Sequence, residues 1–353
     1  MNMKLLLLSI FLGIVTTAFG QFSPNQQDLQ ISTKEKARII DTIIKAVKSS
    51  YVFPEISSKI EVAIIKHQRK GDYNKITSSK EFADSISNQL VRISNDKHLR
   101  ILFSHDTVPQ KTDKEPPLPD FIKTFAIGHN YGFNKIDILD GNIGYMNILG
   151  FFPFDEATEK AIASFDYLSN TDALIIDLRE NTGGYSPLAN FVLSYFFDKQ
   201  PVKFLENVFR DKKKIEQFWS SFYIPGRRYL DKPVYVLTSS GTFSAGEAFA
   251  YILQGYHKAT VVGERTGGGA NLCDLIRLDD HFVMNLPIAR PVGPFSKSNW
   301  EGVGVKPDIE CSDEKALETA HIAALQALIK SCTDKKQRAQ LKDILAKIQA
   351  TSK

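Results

Sequence analysis

Two short stretches of this chain hold the residue types that acyl-transfer chemistry needs. In Val236-Leu237-Thr238-Ser239-Ser240-Gly241-Thr242-Phe243-Ser244-Ala245-Gly246-Glu247 an apolar strand pattern ends at Thr238, the chain turns through Gly241, and a helical pattern starts at Ser244. A hydroxyl at a strand-to-helix junction lies beside free backbone amides and the positive end of a helix dipole, where a developing oxyanion is stabilised. The same pattern also describes an ordinary helix N-cap, supplied by Ser244 or by Ser239, Ser240 or Thr242, and the residues alone leave both readings open. In Leu174-Ile175-Ile176-Asp177-Leu178-Arg179-Glu180-Asn181-Thr182-Gly183-Gly184-Tyr185 a second strand pattern ends in paired glycines. Glycines there let amides approach a ligand with no Cβ in the way, and they equally make a tight turn. Asp177 and Arg179 read as structural charges at the strand end.

The elements that must carry these stretches are legible from about Asn130, where short apolar runs alternate with helical spacing, the pattern of an α/β domain. Strands are expected at Ile143 to Leu149, Ala173 to Leu178, Val234 to Thr238 and Thr260 to Val262, with helices at Glu156 to Leu168, Pro187 to Phe197 and Ala245 to Tyr256. The aromatic stretch from Pro201 to Lys232 reads as a hairpin or helix on the core, or as a pocket wall. A single helical stretch is expected from Glu314 to about Ile348.

Upstream, Ser32 and Glu35 form a Ser-x-x-Glu capping box ahead of Ile39, Ile40, Ile43, Ile44 and Val47, and Ser78 with Glu81 repeats it ahead of Phe82, Ile86, Leu90 and Ile93. Between them Pro54 opens a helix carrying Ile56, Ile60 and Ile64. A three-helix domain is expected, its last helix ending at Ser94-Asn95-Asp96. Segment 105–129 reads as a linker, Pro-, Lys- and Asp-rich over its first half. The expected boundaries are 1–20 signal peptide, 21–104 helical domain, 105–129 linker, 130–312 α/β catalytic domain and 313–353 C-terminal helical segment.

The 353 residues carry 44 basic and 40 acidic side chains, a balance that calls for neither nucleic acid nor an anionic membrane. The run Arg210 to Lys214 reads as a solvated loop. Cys273, Cys311 and Cys332 are too few and too scattered for a disulfide scaffold or a cysteine zinc site. Lys4, the apolar run Leu5 to Val15 and the small residues before Gly20 follow the order of a secretion signal, and the apolar run is shorter than the roughly 20 residues a bilayer needs. The expectation is an exported protein, periplasmic or secreted, without stable membrane insertion.

Taken together, the Asp177–Gly184 segment, Gly241-Thr242-Phe243-Ser244-Ala245-Gly246-Glu247 and Val262-Gly263-Glu264-Arg265-Thr266-Gly267-Gly268-Gly269 resemble the catalytic domain of the tail-specific (C-terminal processing) serine peptidase family. The resemblance implies a crotonase- or Clp-protease-like α/β spiral with Ser244 as nucleophile and an oxyanion hole from the Ala245 amide and that of Gly183 or Gly184. Tail-processing members use a Ser/Lys dyad and a PDZ domain. Here Thr266-Gly267-Gly268-Gly269-Ala270-Asn271 has no lysine, and the interval from His105 to Asn142 is too short for a PDZ module.

In the tricorn and interphotoreceptor retinoid-binding protein branch, tricorn-type enzymes use an upstream histidine and a downstream glutamate instead. Asp96-Lys97-His98-Leu99 resembles its Asp-Gly-His segment, although Lys97 stands where tricorn has a serine. Trp300-Glu301-Gly302-Val303-Gly304-Val305-Lys306-Pro307-Asp308 resembles its glutamate motif. The resemblance implies that His98 takes the Ser244 proton and returns it to the leaving amine, while Glu301 orients the imidazole. His129 is the only rival base. The expectation is an exported serine peptidase acting on peptides or proteins, with no cofactor and no metal. Two alternatives on the same fold are a non-catalytic binding protein for an apolar ligand and a crotonase-type acyl-CoA enzyme.

Overall fold

The computed structural model describes residues 27–110, 120–210, 214–296 and 298–351. The expected signal segment lies outside these, as do most of the Pro-rich part of 105–118 and the centre of the basic run at 210–214. Among the described residues no helix is long and apolar enough to cross a membrane. The chain forms two compact units, one from residues up to 121 with 205–217 and 269–292, the other from 122–204, 218–268 and 293–353.

The first unit is built on the three expected helices, Thr33–Ser50, Pro54–Lys70 and Ser79–Ser94. The Ser32 capping box forms in full, the Ser32 amide donating to Glu35 Oε2 at 2.8 Å while Ser32 Oγ accepts from the Glu35 amide at 3.2 Å; at Ser78 the serine half forms, Ser78 Oγ accepting from the Glu81 amide at 2.9 Å. Ile39, Ile43, Ile60, Ile64, Phe82, Ile86 and Leu90 are fully buried, each side chain worth about 1.5–3 kcal/mol relative to exposure. Three short helices leave apolar faces uncovered, and strands from distant segments cover them. Arg100–Phe103 pairs antiparallel with Phe282–Val292, which pairs in turn with Leu272–Arg277 and Lys203–Phe209. Leu278, Phe282, Met284 and Leu286 thereby join the helical core. The linear boundary at 104 is therefore crossed by two excursions that periodicity within a single segment does not announce.

The second unit holds a six-stranded sheet in the order Ile309–Glu310, Thr260–Gly263, Val234–Thr238, Ala173–Asp177, Ile143–Ile148, Phe133–Leu139, parallel except for the last pair. The four expected strands are present, and the central ones are buried along their whole length, as unbroken apolar runs require. Ala316, Ala320, Ala324 and Leu325 of helix Asp313–Ser331 cover one face. The aromatic stretch begins as the hairpin Lys203–Phe209 and Ile215–Trp219, not as a helix.

Two expectations are corrected. Helix Asp120–Gly128 occupies the second half of the expected linker, with Ile122 and Ala126 buried. The single C-terminal helical stretch is two helices, Asp313–Ser331 and Lys335–Thr351. They separate because Cys332 leaves helical geometry at ψ 124°, and Asp334 Oδ1 accepts the Gln337 amide at 2.7 Å as a new start. None of the three cysteines is in a disulfide.

Candidate active site

Ala173–Asp177 and Val234–Thr238 are parallel neighbours in register, Asp177 opposite Leu237. The segments that follow them therefore leave the sheet at the same end, which brings Gly183 and Ser244 together although 61 residues separate them in sequence. Thr242 Oγ1 donates to Leu178 O at 2.8 Å, and the Phe243 amide donates to Asn181 O at 2.9 Å, so the two turns are tied to one another. Asp177 and Arg179 play the structural part expected: the guanidinium pairs with the carboxylate at 2.6 Å and reaches Asp313 O at 2.8 Å.

Ser244 stands at the N-cap of helix Ala245–Gly255 with φ 53° and ψ −119°. Ordinary serine caps have extended backbone, as Ser32 (φ −82°, ψ 159°) and Ser78 (φ −85°, ψ 128°) do here. A positive φ at a non-glycine residue in such a conformation costs on the order of 1–3 kcal/mol and persists only where the surroundings impose it. Capping alone does not call for this geometry; a sharp strand-to-helix turn that projects one hydroxyl does.

Gly183 forms the opposing wall. At φ 106°, a Cβ added there would lie 2.8 Å from Ser244 Cβ and 2.9 Å from the Ala245 nitrogen, so only glycine admits this approach. The paired glycines are not equivalent, however. The Gly183 amide is donated to Asn181 Oδ1 at 2.8 Å, and Asn181 Nδ2 in turn donates to Ile148 O at 2.9 Å. Gly184 bridges Phe151 in parallel, with Gly183 O and the Tyr185 amide making the bonds to Phe151, so the Gly184 N–H faces away from that strand. Of the two amides expected to serve an oxyanion, that of Gly183 is already spent.

Glu301 sits half-buried in the tight turn that follows Trp300, its amide donating to Asn299 Oδ1 at 3.0 Å. Trp300 packs at 4.7 Å from the Tyr251 ring, and its carbonyl accepts the Gly304 amide at 2.9 Å. The Gly302 amide donates to Gly268 O at 2.9 Å, which joins the Glu301 turn to the glycine-rich segment.

His98 belongs to the other compact unit. It is 2% exposed, and its backbone is held on both sides: its amide donates to Asp96 Oδ1 at 3.0 Å, and its carbonyl accepts Asn285 Nδ2 at 2.8 Å. Burial first, then the Arg100 guanidinium, lowers the imidazole to about 4 from the usual 6.5, so at neutral pH the ring is unprotonated and able to accept a proton, though more weakly than a free imidazole. Asp96, which the sequence reading quoted only as part of a motif, is a buried anchor. It accepts from Asn271 Nδ2 at 2.9 Å and from the Tyr51 hydroxyl at 3.3 Å, and its Oδ1 lies 4.0 Å from His98 Nδ1. Desolvation raises its carboxyl above the ordinary range, against those donors. Asn271 thus holds Asp96 from the end of the glycine-rich segment. His129, the rival base, has Nδ1 donated to Phe125 O at 2.9 Å with its ring 4.0 Å from that of Phe125, the posture of a packed helix-end residue.

A family profile described as peptidase family S41 matches residues 142–311, and one described as the N-terminal domain of Peptidase S41 in eukaryotic IRBP matches residues 29–125, about three quarters of the chain between them. The chain belongs to peptidase family S41. A carboxy-terminal-processing protease of Bartonella bacilliformis is 28% identical over 194 residues, covering 54% of this chain and 42% of that protein. The carboxy-terminal processing protease CtpA of Bacillus subtilis is 28% identical over 182 residues, covering 49% and 36%. The chain thus spans less than half the length of these curated relatives. Among solved structures, a putative peptidase from Parabacteroides merdae superposes with a TM-score of 0.59 at 18% identity, covering 85% of this chain and 99% of that one. The tricorn protease gives 0.53 at 12%, covering 90% and 37%. These are likenesses of fold, and they agree with the α/β domain and helical N-terminal region expected from the sequence.

Proposed function

We propose that this S41 family member is a serine peptidase that hydrolyses peptide bonds through an acyl-enzyme on Ser244. The observation that carries the reading is the Ser244 backbone: φ 53° and ψ −119° at a strand-to-helix turn pressed against Gly183. Ser244 Oγ attacks the scissile carbonyl, and the amides of Ala245 and Gly184 receive the oxyanion at the positive end of the helix. His98, neutral at physiological pH, takes the hydroxyl proton and delivers it to the leaving amine, and Glu301 stabilises the imidazolium. No cofactor or metal enters this scheme.

Fluorophosphonate probes should label the wild type and not Ser244→Ala, and His98→Ala should abolish turnover of a casein or peptide substrate. Labelling retained in Ser244→Ala would remove the assignment. The relatives named for carboxy-terminal processing make a protein or peptide tail the substrate class to try first. We further propose that residues 1–20 direct export to the periplasm or exterior. N-terminal sequencing of the mature protein should then begin near Gln21.

A further inference from the structure

Glu247 is a fully buried carboxylate whose oxygens are shared among three donors from two segments. Oε2 accepts the Ser244 amide at 2.9 Å, while Oε1 accepts the Gly268 amide at 2.7 Å and the Thr266 hydroxyl at 2.5 Å. Thr266 Oγ1 in turn accepts the Val305 amide at 2.6 Å, and the Thr266 amide donates to Val305 O at 3.2 Å. Val305 closes the turn that carries Glu301. Burying an ionised carboxyl costs several kcal/mol unless charge-assisted hydrogen bonds replace its water, and the first turn of helix Ala245–Gly255 adds a favourable dipole. Such a residue is an expensive way to cap a helix, since the same motif on the surface at Ser32 and Glu35 needs no burial.

We propose that Glu247 is the positioning residue of the site, fixing the Ser244 turn and the Glu301 turn in one arrangement through Thr266 and Gly268. The proposal rests on Ser244 being the nucleophile. Two of Glu247's donors are backbone N–H groups, one on each oxygen, so an amide side chain cannot replace it: Glu247→Gln must set an NH2 against one of them. That releases either the Ser244 turn or the Thr266–Gly268 segment. A misplacement near 1 Å at such a site costs about 10²-fold in rate.

The test is a comparison of Glu247→Gln, Thr266→Val and Thr266→Ser with the wild type in the full chain. Glu247→Gln should lower kcat and the fluorophosphonate labelling rate by about 10²-fold with KM changed less than about threefold. Thr266→Val, isosteric but without the hydroxyl, should lose roughly tenfold in kcat, and Thr266→Ser should restore it. Amide hydrogen exchange at Ser244, Gly268 and Val305 should accelerate together in Glu247→Gln and, at Val305, in Thr266→Val. If Glu247→Gln does not fold, the Thr266 pair decides. Wild-type rates in folded Glu247→Gln and Thr266→Val would overturn the proposal. A wild type that takes no label would overturn the nucleophile reading instead, and the coupling of the two turns would then stand or fall on the exchange data.

Discussion

Replacing Gly183 with alanine tests whether the Ser244 turn depends on an unobstructed neighbour. The added Cβ would meet Ser244 Cβ at 2.8 Å, the Ala245 nitrogen at 2.9 Å and Phe243 O at 3.0 Å, with φ at 106°. Left-handed backbone costs an alanine about 1–2 kcal/mol, and an overpacked contact with backbone on two sides about 1–3 kcal/mol. The reduced entropy of the unfolded alanine chain returns roughly 0.4–1 kcal/mol, leaving a net loss of about 1–4.5 kcal/mol. Gly226→Ala is the control, because φ is 77° but nothing lies within 4 Å of its Cβ. Its backbone cost is partly offset by the same unfolded-state effect, so a net loss of about 0–1.5 kcal/mol is expected, without the added cost of a clash. Urea unfolding followed by tryptophan fluorescence measures both, and fluorophosphonate labelling reads the consequence at Ser244. Gly183→Ala should lose at least tenfold in labelling rate, because the clash is relieved most cheaply by moving the Ser244 turn. Equal stability losses in the two variants with unchanged labelling would show that the close approach of Gly183 does not hold the nucleophile.

The acid limb of kcat/KM should fall near pH 4 rather than 6.5, because His98 in the folded protein titrates at about 4; an acid limb at 6.5 would mean that His98 is not the base or is not buried in the working enzyme. Stability should respond to acid through two opposing groups. His98 binds its proton more weakly folded than unfolded, so stability is lost as pH falls from about 6.5 to about 4, while Asp96, raised by burial, binds its proton more tightly folded and gains stability as pH falls through its elevated value. Asp96→Asn removes the second contribution, so chemical denaturation should show a steeper loss toward pH 4 in the variant than in the wild type; parallel curves would refute the linkage. Asn181→Ala deletes the acceptor of the Gly183 amide and the donor to Ile148 O in a fully buried position, and should cost about 2–4 kcal/mol by thermal unfolding with a fall in labelling rate. A loss below about 0.5 kcal/mol would show that water replaces both bonds.

The sequence by itself determined the local elements and the chemistry-bearing turns. The Ser-x-x-Glu signals at Ser32 and Ser78 placed two helix starts because the pattern encodes hydrogen bonds within four residues. Unbroken apolar runs gave the parallel strands for the same local reason. The pattern Ser244-x-x-Glu247 was also a capping box in plain view, and it marks the residue now proposed to tie the site together. Only the tertiary structure decided which segments meet. Residues 205–217 and 269–292 join the helices because an apolar face must be covered, and no periodicity within the helices names the strand that covers it. It decided that Gly183 is spent on Asn181 while Gly184 faces away, since donors two and three residues from an asparagine are alike in sequence and differ only in direction. It also decided that Ser244 is bent out of an ordinary cap, because that strain is imposed by a neighbouring turn 61 positions upstream, brought alongside by the parallel pairing of two strands.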